Sequence, residues 1–177
     1  GNHDWKAGFS GIQRQAQSIK HYPDVGQIGP DTARRGLWLF IFLDSEQCIR
    51  NPEKQLHLWR RIDTLLGDIQ DSSFIVFCLH HPPRSAGSHG GHFHWSAHIF
   101  PLRIISPFLY LPLPGLGSLY VWLRKKVHHP TDVGHPGYRS MADSILTRAH
   151  SIPKPVFILS GHEHNLQAHR LEPGKWA

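Results

Sequence analysis

Hydrophobic residues along the chain gather into three short, uninterrupted runs. The runs cover residues 37–43 (LWLFIFL), 74–79 (FIVFCL) and 156–159 (VFIL). Each run is too short for a helix of its own and is rich in aromatic or β-branched residues, so each is predicted to be a strand buried on both faces. One more strand is expected within residues 166–171.

Three other segments carry apolar residues at helical spacing. The first covers residues 10–20, and the last covers about 138–150. The middle one begins at Asn51-Pro52, where a capping side chain precedes a proline at the first helical position, and it is expected to end near Gly67.

Helices that alternate with buried strands are typical of the α/β class, and 177 residues suit a single domain. Residues 21–35 are polar and contain proline and glycine, which predicts a loop. Residues 82–136 are heavy in proline, glycine, histidine and aromatic residues and are predicted to be irregular. Within them, about 84–136 exceeds what a strand-helix-strand unit needs, so it is interpreted as a cap-like insert.

The composition is basic and unusually rich in histidine. The chain has 16 histidines against 13 acidic residues, a formal charge of +6 and a pI near 9.6. A basic surface suits anionic partners, but it equally fits an ordinary basic domain, and no specific nucleic-acid pattern is evident. The two cysteines indicate no disulfide framework, and Cys78 is predicted to be a buried thiol. No signal peptide is visible; a start at Gly1 indicates a lost N-terminus, and the localisation stays open.

Polar clusters directly follow two of the predicted strands. His80-His81 follows the second strand, and GHEH at 161–164 follows the third. Ligands of open α/β sheets gather beyond the carboxyl ends of strands, and imidazoles suit zinc, manganese or iron. Exposed polar loops are the alternative for each cluster taken alone. A third cluster, GNHD at 1–4, opens the chain, and the three together favour a metal site.

The order of GNHD, His-His-Pro and GHEH resembles the calcineurin-like metallophosphoesterases. The stretch GHEHNLQ at 161–167 is most similar to the purple and tartrate-resistant acid phosphatase branch. The resemblance implies a β-sandwich flanked by helices that holds two divalent or mixed-valence ions, either iron, zinc or manganese. In the family pattern an Asp-x-His and a Gly-Asp motif come ahead of GNHD, and neither comes ahead of it in this sequence. The chain is therefore expected to be a fragment without the N-terminal strands of that fold.

The resemblance also assigns metal ligands. Asn2, His80 and His162 would bind one metal, and His164 would bind the other. Neutral imidazoles are needed for this, so metal affinity is expected to fall at acid pH.

Catalytic and substrate-binding residues follow from the same resemblance. His3 would contact the phosphate and protonate the leaving oxygen, and Asp4 would orient the His3 ring. His81 is expected in the polar wall of the site. His89 and His92 are candidates for its entrance, with scattered surface histidines as the alternative.

The function implied is hydrolysis of phosphate monoesters or diesters by a two-metal mechanism on a phosphorylated substrate. A nuclease or cyclic-nucleotide phosphodiesterase of the same family is an alternative, and so is an inactive, metal-binding, membrane-peripheral fragment. The 177-residue chain alone is expected to hydrolyse such esters negligibly.

Residues 99–126 are apolar but make a poor membrane-spanning helix. Arg103 and the prolines at 107, 112 and 114 interrupt the segment. Two interpretations remain, a buried cap over the site or a contact with a membrane surface. The basic triplet at 124–126 would favour an anionic interface in the second case.

Overall fold

The computed structural model describes residues 6, 8–19, 31–127, 129–163 and 166–177. The described helices are α1 (Gly8–Ile19), α2 (Ser45–Arg50), α3 (Pro52–Leu66), α4 (Trp95–Ile99), α5 (Pro114–Lys126) and α6 (Pro136–Ser151). The described strands are β1 (Asp31–Arg35), β2 (Trp38–Leu43), β3 (Phe74–Leu79), β4 (Val156–Ser160), β5 (Arg170–Glu172) and β6 (Lys175–Trp176). Two 3-10 turns lie at Ser88–Gly90 and Pro101–Ile104.

The strands form one mixed sheet in the order β1-β2-β3-β4-β6-β5. Strands β2, β3, β4 and β6 run parallel to one another, whereas the edge strands β1 and β5 are antiparallel to β2 and β6. In the register, Phe77 of β3 lies between Ile41 of β2 and Ile158 of β4. The carboxyl ends of β3 and β4 are therefore neighbours at one edge of the sheet.

The main hydrophobic core lies between this sheet and the helices that connect its strands. Ile41, Phe77 and Ile158 belong to one buried cluster with Ile62 of α3 and Met141 of α6. Each such side chain contributes about 1.5–3 kcal/mol through its removal from water. Both connecting helices bury an apolar stripe, and this burial holds the two parallel strand ends in place.

The opposite face of the sheet is covered less completely. Trp38 stacks on Phe74 with 4.4 Å between ring centroids, and it lies 5.7 Å from Phe157. Phe42 and Leu159 on the same face are exposed. The prediction that each strand is buried on both faces is therefore wrong for β2 and β4. Strand β3 comes nearest to it, because Val76 on this second face is buried.

The predicted strands at 37–43, 74–79 and 156–159 and the three predicted helices are confirmed to within two residues. The expected loop at 21–35 is wrong for its last five residues, which form β1. Its sequence, DTARR, has no apolar alternation, and β1 owes its place to backbone pairing with β2. Cys78 is half-buried rather than buried, while Cys48 is buried.

Helix α2 was not predicted, and the hairpin formed by β5 and β6 near the C-terminus differs from the predicted strand. The Asp44 carboxylate caps α2 by accepting hydrogen bonds from the backbone amides of Glu46 and Gln47. The strand expected at 166–171 is limited to β5, which pairs with β6.

The insert is not irregular throughout. Helices α4 and α5 pack against each other, and Gly117 lies so close to the carbonyl of His98 that a Cβ there would collide with it. Pro114 starts α5 at the position where a helix tolerates proline. None of the helices among the described residues has the length and hydrophobicity that crossing a bilayer requires.

The protein is thus an α/β fold with a mixed six-stranded sheet flanked by helices. The second sheet of a metallophosphoesterase-type sandwich does not occur among the described residues. That finer fold stays a prediction.

Candidate metal centre

Three histidines meet where β3 and β4 end. His80 and His81 follow the last residue of β3, and His162 follows β4 after one glycine. One ligand nitrogen from each of the three lies within 4.8 Å of the others. The parallel pairing of the two strands brings these side chains together across 82 positions of chain.

The ring of His162 is held in one tautomer. Its Nε2 lies 2.9 Å from the carbonyl oxygen of Thr131, which only accepts hydrogen bonds, so Nε2 carries the proton. Its Nδ1 therefore keeps the lone pair, and it lies 3.3 Å from Nε2 of His80. A nitrogen–nitrogen distance of this size fits a hydrogen bond between the two rings. It equally fits two imidazoles that bind one tetrahedral ion with metal–nitrogen distances of about 2.0–2.1 Å. His162 has a positive φ of 69°, which is uncommon for a residue with a side chain.

His81 is fully buried and only partly satisfied. Its Nδ1 lies 2.9 Å from Ser45 Oγ, and its backbone amide donates to the same oxygen at 3.1 Å. Its Nε2 lies 3.3 Å from a carboxylate oxygen of Glu46, but the alignment does not make a hydrogen bond, so this buried nitrogen lacks one among the described residues. Such an orphaned nitrogen is what a metal ion would satisfy.

Burial favours the neutral form of two of these rings, His81 and His162. It lowers the pKa of His81 to about 2, and the neighbouring His162 and His80 add to the shift. Burial also lowers the pKa of His162, partly opposed by the hydrogen bond to the Thr131 carbonyl. Neutral imidazole is the form that binds metals, so the site is already in its ligating state near neutral pH.

A fourth histidine lies beside the cluster. The rings of His89 and His162 are 4.2 Å apart, and His89 Nδ1 lies 3.1 Å from Asp132 Oδ1. Arg124 donates to both oxygens of Asp132, at 2.8 and 3.0 Å. Burial acts to raise the pKa of Asp132, but the hydrogen bonds from Arg124 and His89 outweigh it and leave the pKa lowered. The resulting carboxylate fixes the ring of His89.

A cavity of about 450 Å³ opens next to His89. His92, Arg124, Lys125 and Arg139 contribute to its wall. Three cationic side chains against one carboxylate give this cavity a positive character that suits an anionic ligand.

The loop after β3 is anchored from α6. The hydroxyl of Tyr138 donates to the carbonyl of Pro82 at 2.7 Å, and its ring meets that of His81 edge-on at 5.4 Å. Sequence reasoning placed Tyr138 only in a helix and did not find Ser45, Thr131 or Asp132. No spacing relative to the histidines could have revealed them, because the fold brings them from distant segments.

The predicted site residues have different outcomes. His80 and His162 converge as expected, and His81 belongs to the same group rather than to its surrounding wall. His89 borders the group, while His92 is exposed at the cavity. The remaining predicted residues lie outside the described residues, and these are Asn2, His3, Asp4 and His164.

The donor set fits a metal ion. Three imidazoles, one with an unsatisfied nitrogen, match the preference of zinc and similar borderline ions. The described part of this group contains no carboxylate ligand, so its affinity rests on the three rings. The arrangement supports one ion, whose identity the geometry leaves open.

The chain was also compared with known proteins. No family model, curated protein or solved structure matches it. The likeness to metallophosphoesterases therefore rests on three short motifs, and of these only His80-His81 and the start of GHEH lie among the described residues.

Proposed function

We propose that this protein is a metal-dependent phosphoesterase. The observation that carries the proposal is the meeting of His80, His81 and His162 at the carboxyl ends of two parallel strands, with burial lowering the pKa of His81 and His162. The positively charged cavity beside them supports a phosphorylated substrate.

The chain's own residues would divide the work as follows. His80, His81 and His162 would hold the ion, which when bound lowers the pKa of a coordinated water and balances phosphate charge. Arg139 and Lys125 would attract the phosphate into the cavity. His89 has Nδ1 engaged with Asp132, which leaves Nε2 as its ring nitrogen for a substrate oxygen.

The finer proposal follows the motif resemblance. Asn2 would complete the first metal, His164 would bind a second, and His3 oriented by Asp4 would protonate the leaving oxygen. Two metals, together with a nucleophile held between them, suit hydrolysis of monoesters or diesters.

A second candidate is metal binding without hydrolysis. The three imidazoles of the described group are uncharged when they bind a metal, so none of these ligands offsets the charge of a divalent ion, and the Glu46 carboxylate lies against His81 Nε2 rather than among them. A catalytic ion also keeps an open position for water, whereas a structural ion has a closed set of ligands.

Turnover of p-nitrophenyl phosphate and bis-p-nitrophenyl phosphate tests the proposal. The assay uses the 177-residue chain and, where the gene encodes a longer protein, that longer protein, each with added zinc, manganese or iron. The 177-residue chain alone should give negligible turnover, whereas a chelator should abolish the turnover of the protein with the complete site and the ion should restore it. His162→Ala should remove both the activity and the bound metal, because it deletes the ligand whose Nδ1 keeps a lone pair next to His80 Nε2.

His57→Ala is the matched control, since His57 is exposed on α3. It should leave turnover and metal content unchanged. Metal binding without turnover in either assayed form of the parent protein would favour the second candidate. Turnover that survives both the chelator and His162→Ala would refute the metal-dependent mechanism.

A further inference from the structure

The surface of the insert presents large hydrophobic side chains outward. Between residues 104 and 127, eleven large hydrophobic side chains are exposed. Phe108 is 85% exposed, Ile105 is 78% exposed and Trp122 is 55% exposed. We call the exposed hydrophobic side chains of residues 104–127 the cap surface. Apolar patches of this kind mark places where a protein meets a partner or a membrane.

Helix α5 shows that the exposure is organised along one face. Gly117 and Val121, four residues apart, are buried, and Gly117 faces α4. Leu116, Leu119 and Leu123, spaced by three and four residues, are exposed. The helix therefore packs with one stripe against α4 and leaves a second apolar stripe without cover.

The charged residues within the segment that carries the cap surface are all basic. No Asp or Glu occurs between Asp71 and Asp132. The guanidinium of Arg103 lies 4.7 Å from the ring of Tyr110, and the Lys126 ammonium lies 5.6 Å from that of Trp122. Aromatic rings bordered by basic groups are typical of the interface between lipid headgroups and hydrocarbon.

We propose that the cap surface docks on an anionic lipid bilayer, lying in its interface. This inference does not depend on the proposed function. Helix α5 has 13 residues and a length of about 20 Å, which is shorter than the roughly 30 Å of a hydrocarbon core, so it lies on the bilayer and does not cross it. Basic residues beside the cap surface attract the headgroups, while its apolar side chains enter the acyl boundary.

The charges near the cap surface argue against a second copy of this chain as its partner. A second copy of this chain seated on the cap surface would place Arg103, Lys125 and Lys126 near their own equivalents, with no acidic residue of the segment to pair with. Arg124 is already neutralised by Asp132, which leaves Lys125 and Lys126 as the basic residues of this helix end for headgroups. An anionic surface satisfies both the apolar stripe and the charges.

Vesicle sedimentation tests the proposal. One set of vesicles is phosphatidylcholine alone, and the other contains roughly 30% phosphatidylserine, the kind of anionic lipid that attracts basic segments. We expect the partition coefficient to be at least tenfold higher on the anionic vesicles at low salt, and to fall as salt screens the attraction. Sedimentation without vesicles controls for self-association.

Variants locate the contact. Lys125→Gln combined with Lys126→Gln should weaken binding to anionic vesicles about 30-fold, at about fivefold for each basic residue. The matched control is Arg60→Gln combined with Arg61→Gln on α3, where both side chains are exposed, and it should bind like the parent.

The apolar part has its own pair of variants. Leu119→Ser combined with Trp122→Ser should weaken binding at least tenfold, whereas Leu56→Ser, at an equally exposed leucine on α3, should not. Equal losses in the cap and α3 variants would show unspecific attraction and overturn the proposal. Binding by the cap variants at the parent's level would overturn it too, as would self-association through the cap surface without any vesicle binding.

Discussion

Similar side chains are buried in the sheet whose strands lead to the histidines and exposed on the cap surface. At the sheet, Phe77 and His81 are fully buried, and even a polar imidazole is enclosed. In the insert, Phe108 and Trp122 face outward although their segment is equally apolar. The first region keeps water out, and the second offers its hydrophobic side chains to the surroundings.

The difference lies in what covers each segment. The strands are covered by α3 and α6, which each have an apolar stripe to match. Helix α5 is covered mainly by α4, a helix of five residues, together with the 3-10 turn at Pro101–Ile104, and its exposed stripe stays outside these contacts. A hydrophobic run therefore indicates burial only where a matching element of sufficient length packs on it.

The largest effect on stability is expected from a cavity in the sheet. Phe77→Ala should lower the free energy of unfolding by about 3–5 kcal/mol, because the residue is fully buried in the main core. Phe108→Ala, at 85% exposure, should change it by less than about 0.5 kcal/mol. Denaturant unfolding of both variants measures the contrast, and equal losses would contradict the division into a buried and an exposed region.

The second largest effect is a pH dependence of the free energy of unfolding, caused by the histidine cluster. The pKa of His81 is lowered to about 2 in the folded protein, against about 6.5 when unfolded, so the unfolded state takes up the proton first. The stability of the metal-free protein is thus complete above about pH 6.5 and is lost as the pH falls. The loss should reach about 2 kcal/mol near pH 5.

Unfolding in the presence of a chelator, at several pH values, measures this slope. His81→Asn should reduce this slope between about pH 6.5 and 4, since one of the two rings whose pKa burial lowers is gone while His162 remains. Below about pH 4, protonation of Asp132 adds a further loss, because its pKa is also lowered in the fold. A parent protein that is equally stable at about pH 8 and 5 would show that the cluster is open to water.

The smallest global effect is expected within the insert. Gly117→Ala puts a methyl group against the carbonyl of His98 and should weaken the α4–α5 contact by about 1–3 kcal/mol. Gly115→Ala meets open space in the same helix and should not weaken it. Hydrogen exchange of residues 114–126 distinguishes the two variants, and equal protection would mean that α5 does not depend on that contact.

The sequence predicted those parts of the fold that follow from local patterns. The strands β2, β3 and β4 and the helices α3 and α6 combine continuous or periodic hydrophobicity with clear starts and stops. Strand β1 could not be predicted, because DTARR has no pattern of its own and its pairing partner decides its conformation. Helix α5 was missed because prolines and glycines interrupt its sequence, although Pro114 in fact begins the helix.

The site was predictable only in its histidines. His80-His81 and His162 follow strands, and parallel pairing then brings them together without any further information. The groups that fix the rings could not be found in this way. Ser45 lies 36 positions from His81, and Thr131 lies 31 positions from His162, so only the tertiary structure reveals these contacts.

Metal binding by His80, His81 and His162 is directly visible in the anomalous difference map of a zinc-soaked crystal. An anomalous peak is expected about 2.0–2.1 Å from Nδ1 of His162 and from Nε2 of His80, the distance typical of imidazole on zinc. The peak should disappear in His162→Ala and persist in His57→Ala. A fully occupied zinc ion elsewhere, with the three rings left unligated, would contradict the claim.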